Sequence, residues 1–172
     1  MKFWTIQSID AWRDAISKDI LTGNIHFIWE EFIKPYHWMM SQMEKKLVHY
    51  SGEYPVWLWP IKPDMRRSGH LERGSHGVLL EVDLNPEEVL ISDFDAWHCV
   101  LNQSFLALTE EEDQLYDEGL ISLTKEESWE RIFALEELMN SDYWNSSEQH
   151  LQVVIGSIPL HRIKLIREFI AK

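Results

Sequence analysis

Apolar and polar positions along the chain repeat with two periods, and the switches between them mark out the elements. The stretch FWTIQ at residues 3–7 is aromatic and β-branched and predicts a strand. A helix follows at once. Ile9, Trp12, Ile16 and Ile20 recur at spacings of three and four, Ser8 or Asp10 supplies a cap, and Gly23 supplies the stop. The same period runs on through Ile28, Trp29, Phe32, Tyr36, Met40, Met43 and Leu47 with Pro35 inside it, so two helices meet there or one is kinked.

YPVWLWPI at residues 54–61 reads as a short strand between prolines, followed by a loop of Gly, Arg and His. GVLLEVDL at 77–84 alternates, with Val78, Leu80, Val82 and Leu84 on one face and Leu79, Glu81 and Asp83 on the other, which predicts a half-buried strand. Residues 89–92 suit a brief strand, and DAWHCVLNQS suits a short helix capped by Asp93 or Asp95. Two more helices are expected: an acidic one over 109–117, and one over 124–138 opened by the capping box Thr124 to Glu127. A strand returns at 151–155, and residues 162–170 form a further strand or a mixed segment. Strands at both ends with helices between them predict one α+β domain over 1–172, its sheet mixed and flanked by helices, with the terminal segments in one sheet.

Composition adds limits. The chain of 172 residues is 45% hydrophobic with nine Trp, enough for a sizeable core. No run approaches a membrane span and the N-terminus lacks a signal-peptide core, so no membrane association and a cytoplasmic location are expected; the single Cys99 agrees with a reducing compartment. A net charge of -13 opposes duplex nucleic acid as a partner. Residues 109–148 hold 13 acidic side chains against Lys125 and Arg131, a face that would suit a basic protein partner or simply keep the chain soluble. The loop 61–76 is locally basic through Lys62, Arg66, Arg67 and Arg73, which suits a small anionic ligand.

Candidate chemistry is sparse. No phosphate-binding loop, dinucleotide fingerprint, nucleophile elbow or paired cysteines occur. His70, His76, His98 and Cys99 lack metal-ligand spacing, and His98 would point about 100° away from Cys99 on a helix. Asp83, Asp93 and Asp95 would serve a divalent ion in a hydrolase only by meeting in space. Trp57 and Trp59 lie two apart, so they project together, as a slot for a flat ring or as core. Asp93, Asp95, Trp97 and His98 gather in the turn that opens a helix, where polar groups cap amides or meet a ligand. The most awkward residue is Gln152, an amide in the apolar strand LQVVI.

The motifs WTIQS, YPVWLW, SDFDAWHCVLN and LQVVIGSIPLHRI are those of a family of uncharacterised bacterial proteins, domain of unknown function 3841, of which the chain is identified as a member. More distantly, the order of its elements resembles ADP-ribosyltransferases. That resemblance implies a split sheet and NAD as the candidate substrate. It places the catalytic positions at Gln7 on the first strand and Gln152 on the late strand, and the nicotinamide slot at Trp57 and Trp59, with Arg66 or Arg67 near the mouth. The family carries Glu at the late position; an amide there supplies only a dipole to a developing oxocarbenium ion. Glu148, four residues earlier in the same strand phase, falls outside the expected strand.

Overall fold

The computed structural model describes residues 1–144 and 150–172; Glu148 lies outside them. In chain order the strands are β1 (Lys2–Ser8), β2 (Ile20–Thr22), β3 (Val56–Leu58), β4 (His76–Asp83), β5 (Leu90–Asp93), β6 (Leu151–Ile155), β7 (Ser157–Pro159) and β8 (Ile163–Ile170). The α-helices are α1 (Ile9–Lys18), α2 (Ile33–Lys46), α3 (Phe94–Leu101), α4 (Glu110–Asp117), α5 (Lys125–Ser128) and α6 (Leu135–Asn140). The class is α+β. Two compact units form, one of Met1–Trp29, Tyr36–Leu90 and Val153–Lys172, the other of Glu30–Pro35 and Ile91–Gln152.

In the first unit, β4 lies between β1 and β8, so both chain ends share one sheet. β2 pairs with β7, and β3 pairs with β6 through Val56 to Ile155, Trp57 to Val154 and Leu58 to Val153. These four ladders are antiparallel. The join between β1 and β3 is narrow: Trp4 and Trp59 exchange reciprocal backbone hydrogen bonds of 2.9 and 2.7 Å in an isolated bridge. The strands therefore run β6-β3-β1-β4-β8 with a constriction between β3 and β1.

Local chemistry sets the ends of α1. Ser8 accepts from the Ala11 amide at 3.1 Å, satisfying one of the helix's orphan donors. The helix stops at Asp19, in the left-handed region at φ 59°, and not at Gly23. Trp12 and Ala15 are buried whereas Ile16 is 51% exposed, because a helix of ten residues presents a narrower face than the Ile9 to Ile20 spacing implied. Gly23 has another task. Its amide bonds the Tyr54 carbonyl at 3.0 Å, and a Cβ there would lie 2.5 Å from the Pro55 oxygen. Residues 25–32 hold two single turns of 3₁₀-helix instead of continuous α-helix, and Pro35 sits in the first turn of α2, where no intrahelical donor is lost.

β4 differs from its expected half-buried pattern. Leu79, assigned to the open face, is 1% exposed, and it lies in a recess that Pro63 and Met65 of the preceding loop also line. The opposite edge of the same sheet carries a rung of charge, Lys2 to Glu81 at 2.8 Å.

In the second unit, Asp93 caps α3 by accepting from the Ala96 amide at 2.8 Å, and Thr109 caps α4. Thr124 and Glu127 form the expected capping box, yet the helix it opens is broken: α5 passes into a 3₁₀ segment, Trp129–Phe133, before α6. The break follows from tertiary hydrogen bonds. The Trp129 indole donates to the Ser104 carbonyl at 2.6 Å, and Arg131 donates to the Leu106 carbonyl at 2.7 Å. These bonds fix residues 129–133 against the irregular segment 104–108 and override their helical period.

Candidate functional site

β1 leads directly into α1, and the loop around Gly23 passes against residues 54–55, so the end of β1, the open face of α1 and β3 enclose a space. This cavity of the first unit measures about 550 Å³. Gln7, Trp57, Trp59, Tyr36 and His70 line it. So do Asp10, Asp14 and Lys18, which follow one another at i, i+4 and i+8 on α1.

Each lining group has a defined state. The Gln7 amide nitrogen donates to the Thr5 hydroxyl at 2.8 Å, which leaves a second N–H and the carbonyl for another partner. Tyr36 meets Trp57 edge to face, with centroids 5.9 Å apart and planes at 75°. Burial raises the Tyr36 phenol above its ordinary pKa, and the Trp57 indole partly offsets that. His70 donates through Nε2 to the Asp64 carbonyl at 3.0 Å, so Nδ1 is the acceptor in the neutral ring. Lys18 is paired with Asp14 at 2.8 Å. Phe27, 65% exposed, stands at the rim.

The other sequence-derived residues fall elsewhere. Arg66 is forked onto Asp64, with Nε to Oδ1 and Nη2 to Oδ2 both 2.9 Å, and this contact holds the Asp64 carboxyl far below the usual carboxylate range. Arg67 is exposed and shares a small recess with Gly69 and His70 at the cavity's margin. Gln152 belongs to the second unit. It is 4% exposed and donates to the Ser92 hydroxyl at 3.3 Å, so the awkward amide has a polar partner in the core, and it is not part of the cavity lining. On β6 it shares a face with Val154, which pairs with Trp57.

Asp93 serves as the cap of α3, and burial raises its pKa against the opposing Ala96 amide. Asp95 contacts His150 at 3.0 Å, Trp97 is buried, and His98 bonds the Phe94 carbonyl one turn back. Asp83 is bound to the N-terminal ammonium at 3.1 Å. Among the described residues no group of three or more metal-ligating side chains converges. Burial pushes the Cys99 thiol up, away from thiolate character. Within the acidic stretch, Glu112 pairs with Arg131, Glu126 with Lys34, and Glu127 bonds Thr124, so several carboxylates have local structural tasks.

Tyr36, His70 and the Asp10, Asp14, Lys18 row are lining residues that motif reading missed. The row was legible as the polar face of α1, whereas His70 and Tyr36 reach the cavity only through tertiary folding.

Fold and cavity together define an α+β protein with a small-molecule-sized space beside a constricted sheet. The chain belongs to the family described as domain of unknown function (DUF3841), whose model matches residues 2–124. The match spans Gln7, Trp57, Trp59 and His70 and stops before β6 and β8. No curated protein matches the chain, and no solved structure matches it. No helix among the described residues is long and apolar enough to cross a membrane.

Proposed function

We propose that the first unit binds a nicotinamide nucleotide, or a close relative with the same ring and ribose, on an ADP-ribosyltransferase-like split sheet whose bond-cleaving chemistry is weakened. One observation carries the reading: the sheet narrows to the single Trp4 to Trp59 bridge beside a cavity that gathers Gln7, Trp57 and Trp59. A volume of about 550 Å³ accommodates a ring and a ribose.

The roles follow from the groups present. Trp57 and Trp59 offer surface to a flat ring, and the unused hydrogen-bonding capacity of Gln7 meets a ribose hydroxyl or a carboxamide. His70 Nδ1 accepts from an amide N–H. Phosphates are poorly served inside, because Lys18 is already paired and Asp10 and Asp14 repel them; they point out toward Arg67. Catalysis is weak on this reading because Gln152, where the resemblance expects a carboxylate, is a core amide bonded to Ser92 and does not line the cavity.

Calorimetric titration with NAD+ tests this. Saturable binding with a Kd of about 1 mM or tighter is expected, Gln7→Ala and Trp57→Ala each weakening it by about tenfold or more. Nicotinamide release should stay at the buffer rate. A flat titration at millimolar NAD+ would sink the proposal, and rapid release would show that a stronger catalytic group operates.

A further inference from the structure

We propose that the outer edge of β8 is a docking site for an acidic peptide in extended form. Three independent features meet there. β8 ends the β1-β4-β8 sheet, and apart from the Ile163 amide, which donates to the Leu160 carbonyl, no backbone bond on its side away from β4 is found among the described residues. Such a row is a template for one more strand.

The second feature is a slot. Leu79 pairs with Arg167 and Leu80 with Leu165, so Ile166 is the extra residue of a bulge, and bulges re-aim side chains. Ile166, Pro63, Met65 and Leu79 line an open groove of about 410 Å³, large enough for one apolar side chain of an added strand.

Charge selects the occupant. Lys62, Arg66 and Arg167 rim the groove against one acid, Asp64, which is forked onto Arg66. Along β8 itself Lys164 and Arg167 are exposed, and Glu168 contacts His76 at 3.2 Å. Exposed charges on an edge commonly prevent pairing. At the groove the excess is positive, because Lys62 and Arg167 stand beside an Asp64 already forked onto Arg66, so a Glu-bearing strand would set opposite charges together there. The edge thus favours an acidic strand.

Fluorescence anisotropy with a labelled, end-blocked peptide of alternating Glu and Val tests the assignment, beside a Lys-for-Glu version and an acidic version N-methylated at alternate amides. The acidic peptide should bind about tenfold or more tightly than either control and weaken as salt rises. Lys164→Glu and Arg167→Glu, shown folded by circular dichroism, should each lose that preference. Equal binding of acidic and basic peptides, unaltered binding of the N-methylated one, or no binding at millimolar peptide would overturn the proposal. So would a dimer in sedimentation that Arg167→Glu alters, since a second copy would then be the occupant.

Discussion

In the second unit, the irregular segment 104–108 has six backbone groups engaged by side chains: the Ser104, Leu106, Ala107 and Leu108 carbonyls by Trp129, Arg131, Trp144 and Ser141, and the Leu106 and Leu108 amides by Ser128 and Glu112. In the cavity of the first unit, Gln7 keeps one N–H and its carbonyl unused and His70 keeps a ring nitrogen. Both regions are polar and partly enclosed. The difference is that buried backbone must be satisfied from within, whereas polar groups beside an open cavity are satisfied by whatever enters it. A fully engaged region is structural, and a partly engaged one is where binding belongs.

The largest effect is expected from breaking the engaged region. Arg131 bonds the Leu106 carbonyl and both oxygens of Glu112, with each side chain only 18% exposed, and the contact lowers the Glu112 pKa. Arg131→Met should lower unfolding free energy by about 3 kcal/mol, because a carboxylate and a carbonyl lose their donor together. Chemical denaturation reads this out; a loss below about 1 kcal/mol would mean that water replaces the guanidinium and the segment is less engaged than its geometry states.

A smaller effect is expected at the cavity wall. Gly23→Ala forces a methyl against the Tyr54 and Pro55 carbonyls and should cost about 2 kcal/mol while spreading the wall. Its thermal midpoint should fall, and unchanged stability would show that the loop yields without strain.

The smallest effect separates a tie within the first unit from the cavity groups. Arg162 forks onto Glu88 at 2.8 and 2.7 Å and holds its pKa at about 2. Because the folded pKa lies below the ordinary 4.5, this stabilisation is complete above pH 4.5 and is lost as pH falls toward 2. With side chains 24% and 28% exposed, about 1 kcal/mol is expected. Glu88→Gln should flatten the acid limb of the stability profile by that amount, and coincident profiles would deny the tie.

Local signals were read well where one turn or one strand suffices. Ser8, Asp93 and Thr124, each among the expected caps, do cap their helices, since a cap needs only three or four neighbouring residues. The expectation failed at residues 129–133, where bonds to a segment about 25 residues away override the helical period, and at Leu79, which is buried although its strand phase put it on the open face. Of the cavity, Trp57 and Trp59 were marked by their spacing and Gln7 by the resemblance, but nothing local announces that His70 reaches the same space.

The sequence by itself determined the alternation of strands and helices, the caps, the acidic balance and the family, all properties of short windows or of summed composition. Tertiary structure alone decided that β1 and β3 touch at one bridge, that Gln7 opens onto a cavity, and that Gln152 turns to Ser92 in the core. Whether an amide is a binding group or a satisfied core residue depends on which distant residues surround it, and residue type does not encode that.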